Sequence, residues 1–449
     1  MTRRELLAAA CAWTAGARAL AQHPGAPHVS AAAIDPQGDA DITLRIAETT
    51  VDIGPRRSVR TLAYNSQVPG PLLRARRDQR LIVDVWNDAA DEDIVHWHGL
   101  HVAPEVDGAF EEGTPGVPPK GGRRRYAFTA APGGTRWYHS HAVAGRNLKK
   151  STYSGQFGMF IIDDGSDAGA YDLEVPLLLH EWEPRFSASG DVEFRAFTIN
   201  GRMLGAGEPI RVRPSQRVLF RIVNASATLP HAVALPGHLF EVVALDGNRV
   251  PTPKGVSVVE IAPGERVDAI VGMRRPGNWI LGELRGDQRA NGMGIVVEYA
   301  GAQGPPVWEP AASVWSYELF SSREPPPPPD RSLTMVFKAV GDGHHWTING
   351  KSFPKTDPII VSPNVRYRWR LDNQSAEPHP VHLHRHTFEI VKVDGRPMSG
   401  VRKDVVVVPP WKEIEIDVVA DNPGLTLFHC HQQFHMDMGF MALMRYDQR

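Results

Sequence analysis

The chain has 449 residues, with 49 Lys and Arg against 51 Asp and Glu, and it contains 41 Gly, 38 Pro and two Cys. The formal charge of −2 gives no general attraction to nucleic acid or to an anionic membrane, and two cysteines exclude a disulfide-rich scaffold. At roughly 150 residues per domain the length predicts about three domains, and the high Gly and Pro content favours a turn-rich, mainly β protein.

The N-terminus has the features of an export signal. Arg3 and Arg4 precede an Ala-rich apolar run, and residues 19–21 match a small-x-small cleavage pattern. Paired arginines predict a twin-arginine signal at residues 1–21, with an ordinary Sec signal as the alternative. The segment is too short for a membrane span, and no later run reaches about 18 apolar residues. We therefore expect a periplasmic or secreted protein without a membrane span.

Short alternating strands bounded by Pro, Gly and Asn dominate the rest of the chain. A Thr-Ile-Asn-Gly motif at 198–201 recurs at 347–350, and each copy leads through a strand to a second Asn, with a looser copy in the first third of the chain. The successive asparagine pairs are Asn65 and Asn87, Asn200 and Asn224, and Asn349 and Asn373. The repeat predicts three related β units in succession.

The second and third units stay in register beyond this motif, but they differ in their histidines. Ala234 and Pro236 of the second unit stand where the third unit has His382 and His384. The proline-rich segment 306–332 is typical of a stiff, extended linker outside any core. The expected boundaries are 40–165 for the first unit, 166–305 for the second, 306–332 for the linker and 333–449 for the third.

Ten of the 19 histidines fall into four tight groups. The groups are His96-Trp97-His98, His139-Ser140-His141, residues 379–384 and residues 429–435. Each group contains a His-x-His pair, and on a β-strand residues i and i+2 project from the same face. Eight imidazoles exceed the needs of one ion, so they predict a multinuclear copper, zinc or iron cluster shared by the first and third units.

Three metal-ligating side chains remain outside the four pairs: His379, Cys430 and His435. Two His and one Cys form the trigonal ligand set of an electron-transfer copper. Cys11 lies within the predicted signal, which leaves Cys430 as the cysteine of the mature chain. On a strand Cys430 would point away from its neighbours His429 and His431 while remaining covalently adjacent to both. A single His-x-His pair is usually structural, but four pairs with this cysteine between two of the histidines favour metal binding.

These four segments resemble the copper-binding motifs of multicopper oxidases, the laccase-like family, over residues 40–449. The resemblance implies an all-β protein of three consecutive cupredoxin-like Greek-key β-sandwich or barrel domains, with four coppers per chain. By this resemblance His96 and His382 would hold a type 2 copper, and the His379, Cys430 and His435 set a type 1 copper. The two type 3 coppers would be held by His98, His139, His141, His384, His429 and His431.

The resemblance also implies a reaction with two substrates, a small reducing molecule and O2. Four one-electron oxidations at the type 1 copper would reduce O2 to two waters, with Cys430 and His435 as catalytic residues alongside Asp107. Asp107 lies eleven residues after the first ligand, where the family has an acid that supports proton transfer, although a bare Asp-Gly is more often a turn.

The chain departs from the family pattern in two places. Phe440 occupies the axial position of the type 1 site and offers no donor atom, which predicts a higher reduction potential than that of methionine-ligated relatives. Met436 stands where many bacterial members have Glu. Asp437 follows it, either as a substitute in proton or cation handling or as a rim carboxylate. The methionines from Met436 to Met444 favour packing over Cu(I) binding, and Arg123–Arg125 is expected to be a solvated turn.

The leading interpretation is a laccase-like oxidase of phenols and aromatic amines. Within the enzyme class, the alternative is a metal-ion oxidase of Cu(I) or Mn(II) in copper tolerance, although the methionine-rich insertion of cuprous oxidases is absent. A two-domain copper nitrite reductase is disfavoured by the third unit. A non-catalytic copper-binding envelope protein is the alternative from another class.

Overall fold

The computed structural model describes residues 38–447 except 168, 323 and 342. The predicted signal at 1–21 lies outside these residues. About half of the residues are in strands and about 6% in helices, which confirms the all-β prediction. Among the described residues, no helix is long and apolar enough to cross a membrane.

The first sheet pair packs the sheet β2-β1-β4-β6 with the sheet β3-β8-β7-β5. Its strands are β1 (Ile42–Gly54), β2 (Arg57–Tyr64), β3 (Leu73–Arg76), β4 (Arg80–Asn87), β5 (Val95–His98), β6 (Gly122–Thr129), β7 (Gly134–Ser140) and β8 (Phe157–Asp163). Strands β1 and β2 alternate buried and more exposed side chains over most of their length, as expected for a sheet with one face in the core.

The second sheet pair has the orders β12-β9-β14-β19-β16-β17 and β13-β21-β20-β15-β18, and β10 and β11 form a separate hairpin. The first strands are β9 (Leu173–Trp182), β10 (Arg185–Phe186), β11 (Val192–Glu193), β12 (Ala196–Ile199), β13 (Ile210–Val212), β14 (Arg217–Asn224) and β15 (His231–Ala234). The remaining strands are β16 (Phe240–Leu245), β17 (Asn248–Val256), β18 (Val258–Ile261), β19 (Arg266–Gly272), β20 (Asn278–Glu283) and β21 (Gly294–Tyr299).

The third sheet pair, β23-β22-β25-β30-β27-β28 with β24-β32-β31-β26-β29, matches the second strand for strand. It begins with β22 (Arg331–Val340), β23 (His345–Ile348), β24 (Ile359–Val361), β25 (Arg366–Asn373), β26 (His379–Leu383) and β27 (Phe388–Val393). It ends with β28 (Arg396–Lys403), β29 (Val405–Val408), β30 (Glu413–Val419), β31 (Thr426–Cys430) and β32 (Met441–Tyr446). In each pair two parallel contacts, one in each sheet, interrupt the antiparallel pattern: β1 with β4 and β3 with β8, β9 with β14 and β13 with β21, and β22 with β25 and β24 with β32.

Helices are short and connect strands. The α-helices are α1 (Pro104–Asp107), α2 (Gly286–Ala290) and α3 (Gln433–Asp437), and the 3-10 helices are Phe110–Glu112, Ser151–Tyr153 and Tyr317–Phe320. Helices α1 and α3 matter most for function, because α1 ends at Asp107 and α3 carries His435.

The repeated asparagines occupy the same structural positions in all three sheet pairs, which confirms the internal repeat. Asn65, Asn200 and Asn349 are left-handed, with φ of 53°, 53° and 52°, a conformation that Asn tolerates better than most residues. Each bridges two backbone groups of a neighbouring strand. The second asparagine of each copy is buried and donates to at least two backbone carbonyls.

Two sequence expectations are wrong. The segment 306–332 does not stay outside the core, because Tyr317 and Phe320 are buried in the hydrophobic cluster shared by the second and third sheet pairs. Arg123–Arg125 is not a turn but part of β6, and Asp84 on the neighbouring β4 accepts hydrogen bonds from Arg125 at 2.7 and 2.8 Å. In both cases the local composition did not indicate the distant contact, with the hydrophobic cluster in one case and with Asp84 in the other.

Candidate metal centre

Paired strands bring the four His-x-His motifs together. In the first sheet pair His96 lies opposite His139 on β5 and β7, and in the third His382 lies opposite His429 on β26 and β31. The strands place both rings of a motif on one side, and the two sheet pairs face each other there. We call the resulting set of eight imidazoles the histidine cluster: His96, His98, His139, His141, His382, His384, His429 and His431.

Rings from the two ends of the chain are in contact within the histidine cluster. The His98 and His382 rings stack at 3.9 Å between centroids, and the His96 and His384 rings stack at 4.0 Å. The Nε2 atoms of His96 and His382 are 3.4 Å apart, and His429 Nε2 is 3.3 Å from His141 Nε2. Several subsets of three rings hold their nitrogens within 4.8 Å of one another, a spacing that one metal ion can bridge.

Burial favours the neutral form of seven of these imidazoles, all except His96. All eight are at most 3% exposed, and loss of solvent lowers the pKa of His382 to about 4. The same desolvation lowers the pKa of six others well below the usual 6.5. Neutral imidazole is the form that binds transition metals. These seven rings can therefore bind metal at neutral pH without first losing protons.

An oxygen atom holds one ring nitrogen in six of the eight rings. Five are held at Nδ1, which leaves Nε2 for the cluster interior: His96 by the Asp107 carbonyl at 2.9 Å, His139 by Ser140 at 2.9 Å, His382 by Asp404 at 2.7 Å, His384 by the Asp107 carboxylate at 2.8 Å and His429 by Cys430 at 2.9 Å. His98 is instead held at Nε2, which lies 3.1 Å from Asp404 Oδ1. Such oxygen partners fix the tautomer and orientation of metal-binding histidines.

Several ring nitrogens of the histidine cluster have no partner within the described ranges of the protein. Within the part of the chain that the structure describes, His98 Nδ1, His139 Nε2 and both nitrogens of His431 are buried with no hydrogen-bond partner. Buried polar atoms are normally satisfied, so such a group needs an explanation. A cavity of about 10 Å³ lies beside these rings. The donor set and its unsatisfied atoms fit a bound metal cluster.

A second group lies on the other face of β31. Cys430 Sγ is 3.8 Å from His379 Nδ1 and 3.6 Å from His435 Nδ1, and the two nitrogens are 3.2 Å apart. We call these three residues the His2Cys group. Burial raises the pKa of the Cys430 thiol and lowers that of the His379 imidazole. A cation held among them would compensate the thiolate charge, which burial otherwise disfavours.

Aromatic side chains enclose the His2Cys group. Phe440 is fully buried, with its ring centroid 4.8 Å from the ring of His379. Trp346 contacts both histidines, at 4.5 Å from His379 and 4.3 Å from His435. The environment is apolar on this side, and the Phe440 side chain supplies no donor atom.

Asp107 lies beside the histidine cluster at the end of α1. Its Oδ2 is 2.8 Å from His384 Nδ1 and 3.1 Å from His96 Nδ1, so one carboxylate contacts a ring from each end of the chain. Gly108 has a φ of 100°, and a Cβ there would lie 1.9 Å from the Val95 carbonyl, so only glycine permits this close approach.

Sequence reasoning missed two acids in this region. Glu112 Oε1 lies 3.4 Å from His384 Nδ1; its burial, and then the charge of Asp107, raise the pKa of its carboxyl well above the usual value. Asp404 contacts His98 from the opposite side. Burial opposes ionisation of Asp404, but Arg266 outweighs it and lowers its pKa to about 2. The only sequence signal for either was a charged residue beside an apolar stretch.

A third acid lies at the outer edge of the His2Cys group. Glu377 Oε2 is 3.1 Å from His435 Nε2, and the Glu377 side chain is 46% exposed. His435 itself is only 7% exposed, so Glu377 is the more accessible member of this pair.

The residues after His435 are mostly structural. Met436 packs against Ala109 and Leu427, and Met441 and Met444 are buried in hydrophobic clusters, as the packing interpretation expects. Asp437 is not a free rim carboxylate. Its Oδ2 accepts hydrogen bonds from the Ala144 and Gly145 amides at 3.1 and 2.7 Å, and burial raises its pKa to about 7.

Three two-sheet sandwiches with a buried histidine cluster and a separate His2Cys group define the class of transition-metal redox proteins. Comparison with known proteins specifies the class further. Multicopper oxidase family models match residues 22–167, 180–298 and 325–449. The multicopper oxidase MmcO of Mycobacterium tuberculosis is 30% identical over 90% of this chain and 86% of its own length. The chain belongs to the multicopper oxidase family, whose members are oxidoreductases that use oxygen.

Other relatives differ in their described roles. A laccase of Cryphonectria parasitica is 25% identical over 89% of this chain and 80% of its own length. The crystal structure of Fet3p, described as a multicopper oxidase that functions in iron import, superposes with a TM-score of 0.76 at 21% identity over 90% of both chains. The structural likeness confirms the prediction of consecutive cupredoxin-like domains.

Proposed function

We propose that the protein is a laccase-like oxidase that couples four one-electron oxidations of phenols or aromatic amines to the reduction of O2 to two waters. One observation carries the proposal: the His2Cys group and the histidine cluster lie on opposite faces of one strand, joined through Cys430 and its neighbours His429 and His431. Such a pair of sites separates electron entry from oxygen reduction.

The donor chemistry supports four coppers per chain, as the family implies. The His2Cys group would hold the type 1 copper, and His96 and His382 the type 2 copper. The other six rings of the histidine cluster would hold the type 3 pair. When bound, these ions would accept electrons singly and deliver four to O2. About four coppers per chain, with intense blue colour and O2 uptake, is the expected result; blue protein that consumes no O2 would favour a copper-binding protein instead.

The chain's own residues prepare this chemistry. Burial keeps seven rings of the histidine cluster neutral, the form that binds metal. Asp107 orients His96 and His384, and its carboxylate, with Glu112 next to it, is placed to hold a proton beside the cluster. The Phe440 side chain packs against His379 and has no donor atom, so a type 1 copper held by the His2Cys group would favour Cu(I) and be a strong oxidant.

Glu377 is the observation that bears on the substrate. A half-exposed carboxylate at His435 Nε2 is placed to accept the proton that a phenol loses on oxidation. It would also attract a metal cation, which favours oxidation of Cu(I) or Mn(II) as the second candidate function. A phenol oxidase would use the Glu377 carboxylate as a proton acceptor, whereas a metal-ion oxidase would use its negative charge to attract the cation.

Steady-state oxidation of a phenol, Cu(I) and Mn(II) by wild type and Glu377→Gln, with O2 uptake recorded, tests the substrate. For a phenol oxidase we expect the phenol to be the best wild-type substrate and its pH profile to shift in the variant. If the protein is a metal-ion oxidase, wild type should prefer the cation, and Glu377→Gln should lower kcat/KM for that cation at least tenfold. Glu413→Gln, which removes a surface carboxylate paired with Arg370, is the matched control and should change neither.

We also infer the domain boundaries and the export route. The strand bounds support domains at 40–165, 166–305 and 333–449, with 306–332 as a connection that is partly packed. The paired arginines support twin-arginine export to the periplasm or medium. We expect a mature N-terminus at residue 22, which N-terminal sequencing of the exported protein would detect. An intact residue 1 would contradict the export prediction.

A further inference from the structure

A fully buried ion pair connects the second and third sheet pairs beside the histidine cluster. Arg266 Nη1 donates to Asp404 Oδ1 at 2.5 Å, and Nη2 donates to Oδ2 at 2.6 Å. The side chains are at most 1% exposed. Such a bidentate pair fixes the carboxylate in both position and plane.

The fixed Asp404 in turn contacts two rings of the histidine cluster. Its Oδ1 is 3.1 Å from His98 Nε2, and its backbone carbonyl accepts from His382 Nδ1 at 2.7 Å. The carboxylate therefore selects the tautomer of His98 that carries its proton on Nε2. That tautomer leaves the lone pair of Nδ1 directed into the cluster, opposite to the five rings that are held at Nδ1.

The rest of the second sheet pair holds Arg266 in place. Its guanidinium also donates to the Gly264 and Asp246 carbonyls at 3.2 and 3.1 Å. Gly99, with a φ of +84°, leaves the space for the pair, because a Cβ there would lie 2.6 Å from Arg266 Nη2. The chain thus provides both anchors and room for one guanidinium orientation.

A neighbouring contact ties the same segment of the third sheet pair to the second. Lys403 Nζ lies 3.0 Å from both Asp246 and Glu265. The Asp246 carboxylate accepts hydrogen bonds from the amides of Asp404 and Val405, at 3.2 and 3.0 Å. Backbone and side chain of Asp404 are therefore both set by a sheet pair that contributes no residue to the histidine cluster.

We propose that Arg266 is a positioning residue for copper binding: through Asp404 it holds His98 with Nδ1 directed into the histidine cluster. The middle sheet pair, which has lost the metal-ligand residues, thereby controls the ligand geometry of a cluster built by its neighbours. This inference rests on the proposed function, because it requires copper in that cluster.

The decisive variant is Arg266→Lys, which keeps the positive charge but loses the planar fork that binds both oxygens. Arg221→Lys is the matched control, since Arg221 is also buried in the same sheet pair but pairs with Glu174 and Asp268. Copper per chain, copper release by a chelator, the EPR-detectable fraction of copper and the melting temperature of the copper-free protein are measured for both variants and wild type.

We expect Arg266→Lys to release copper about tenfold more readily, the scale on which outer partners of metal ligands act, and to show a larger EPR-detectable fraction. Arg221→Lys should match wild type in copper release and in the EPR-detectable fraction, even if its melting temperature falls as far as that of Arg266→Lys. If wild type binds four coppers and Arg266→Lys holds them equally well, the positioning role of Arg266 is overturned but the proposed function is not. A wild-type chain that binds no copper overturns the proposed function as well.

Discussion

Replacing Asp107 by Asn tests the oxygen-reducing half of the proposed reaction. The substitution keeps the size of the side chain but removes a charge that lies 2.8 Å from His384 Nδ1 and 3.1 Å from His96 Nδ1. Asp107 is fully buried, so solvent cannot replace the lost interaction. A hydrogen bond to a charged group contributes about 1.5–3 kcal/mol, and about 1.36 kcal/mol corresponds to a factor of ten in rate. We therefore expect oxygen reduction to slow by about 10- to 150-fold.

The assay separates the two half-reactions. Stopped-flow bleaching of the blue colour by a phenol under argon measures electron entry at the His2Cys group, and recovery of the colour on mixing with O2 measures the later steps. We expect Asp107→Asn to bleach at the wild-type rate and to recover slowly. Equal slowing of both steps would refute the assignment of Asp107 to oxygen reduction.

A matched carboxylate provides the control. Asp93 is buried in the same sheet pair and accepts hydrogen bonds from Ser140 and Gln156 at 2.7 and 2.8 Å, but its carboxylate does not hold a ring of the histidine cluster. Asp93→Asn should leave the ratio of the two rates unchanged even if it destabilises the fold. A selective loss of oxygen reduction in this variant would show that any buried charge nearby suffices.

Three further predictions follow from the buried groups. Phe440→Met should lower the reduction potential of the blue copper in a spectroelectrochemical titration, because a thioether favours Cu(II); an unchanged or raised potential would contradict the axial assignment. Burial raises the pKa of Glu181 from 4.5 to about 8. Wild type should therefore lose about 5 kcal/mol of stability as pH rises from 4.5 to 8. Denaturant titrations of Glu181→Gln should not show that loss. Burial lowers the pKa of His382 from 6.5 to about 4, so this group alone costs the copper-free protein about 3 kcal/mol of stability as pH falls over that range; acid unfolding that copper does not delay would argue against metal binding here.

The fold was predictable because its signals are local. The left-handed turns at Asn65, Asn200 and Asn349 require a residue that tolerates positive φ, so each copy retains the same amino acid. The His-x-His motifs were equally readable, since a strand places alternate residues on one face whatever the tertiary structure. The predictions of three units and of one shared histidine cluster both came from such short-range patterns.

The acids around the cluster were not predictable in this way. Asp404 meets His98 across 306 residues of sequence, and Leu427 donates to Glu112 across 315. No periodic pattern marks either contact. Tyr317 and Phe320 were assigned to a linker for a related reason, because the prolines around them dominated the composition while their burial depends on distant strands.

The division of the histidine cluster between β5 and β7 on one side and β26 and β31 on the other fixes when metal can be acquired. A growing polypeptide has no complete ligand set until its final sandwich has closed against its first, because half of the proposed ligands are synthesised last. In the proposed function, copper binding to the histidine cluster would therefore follow closure of the last sandwich against the first.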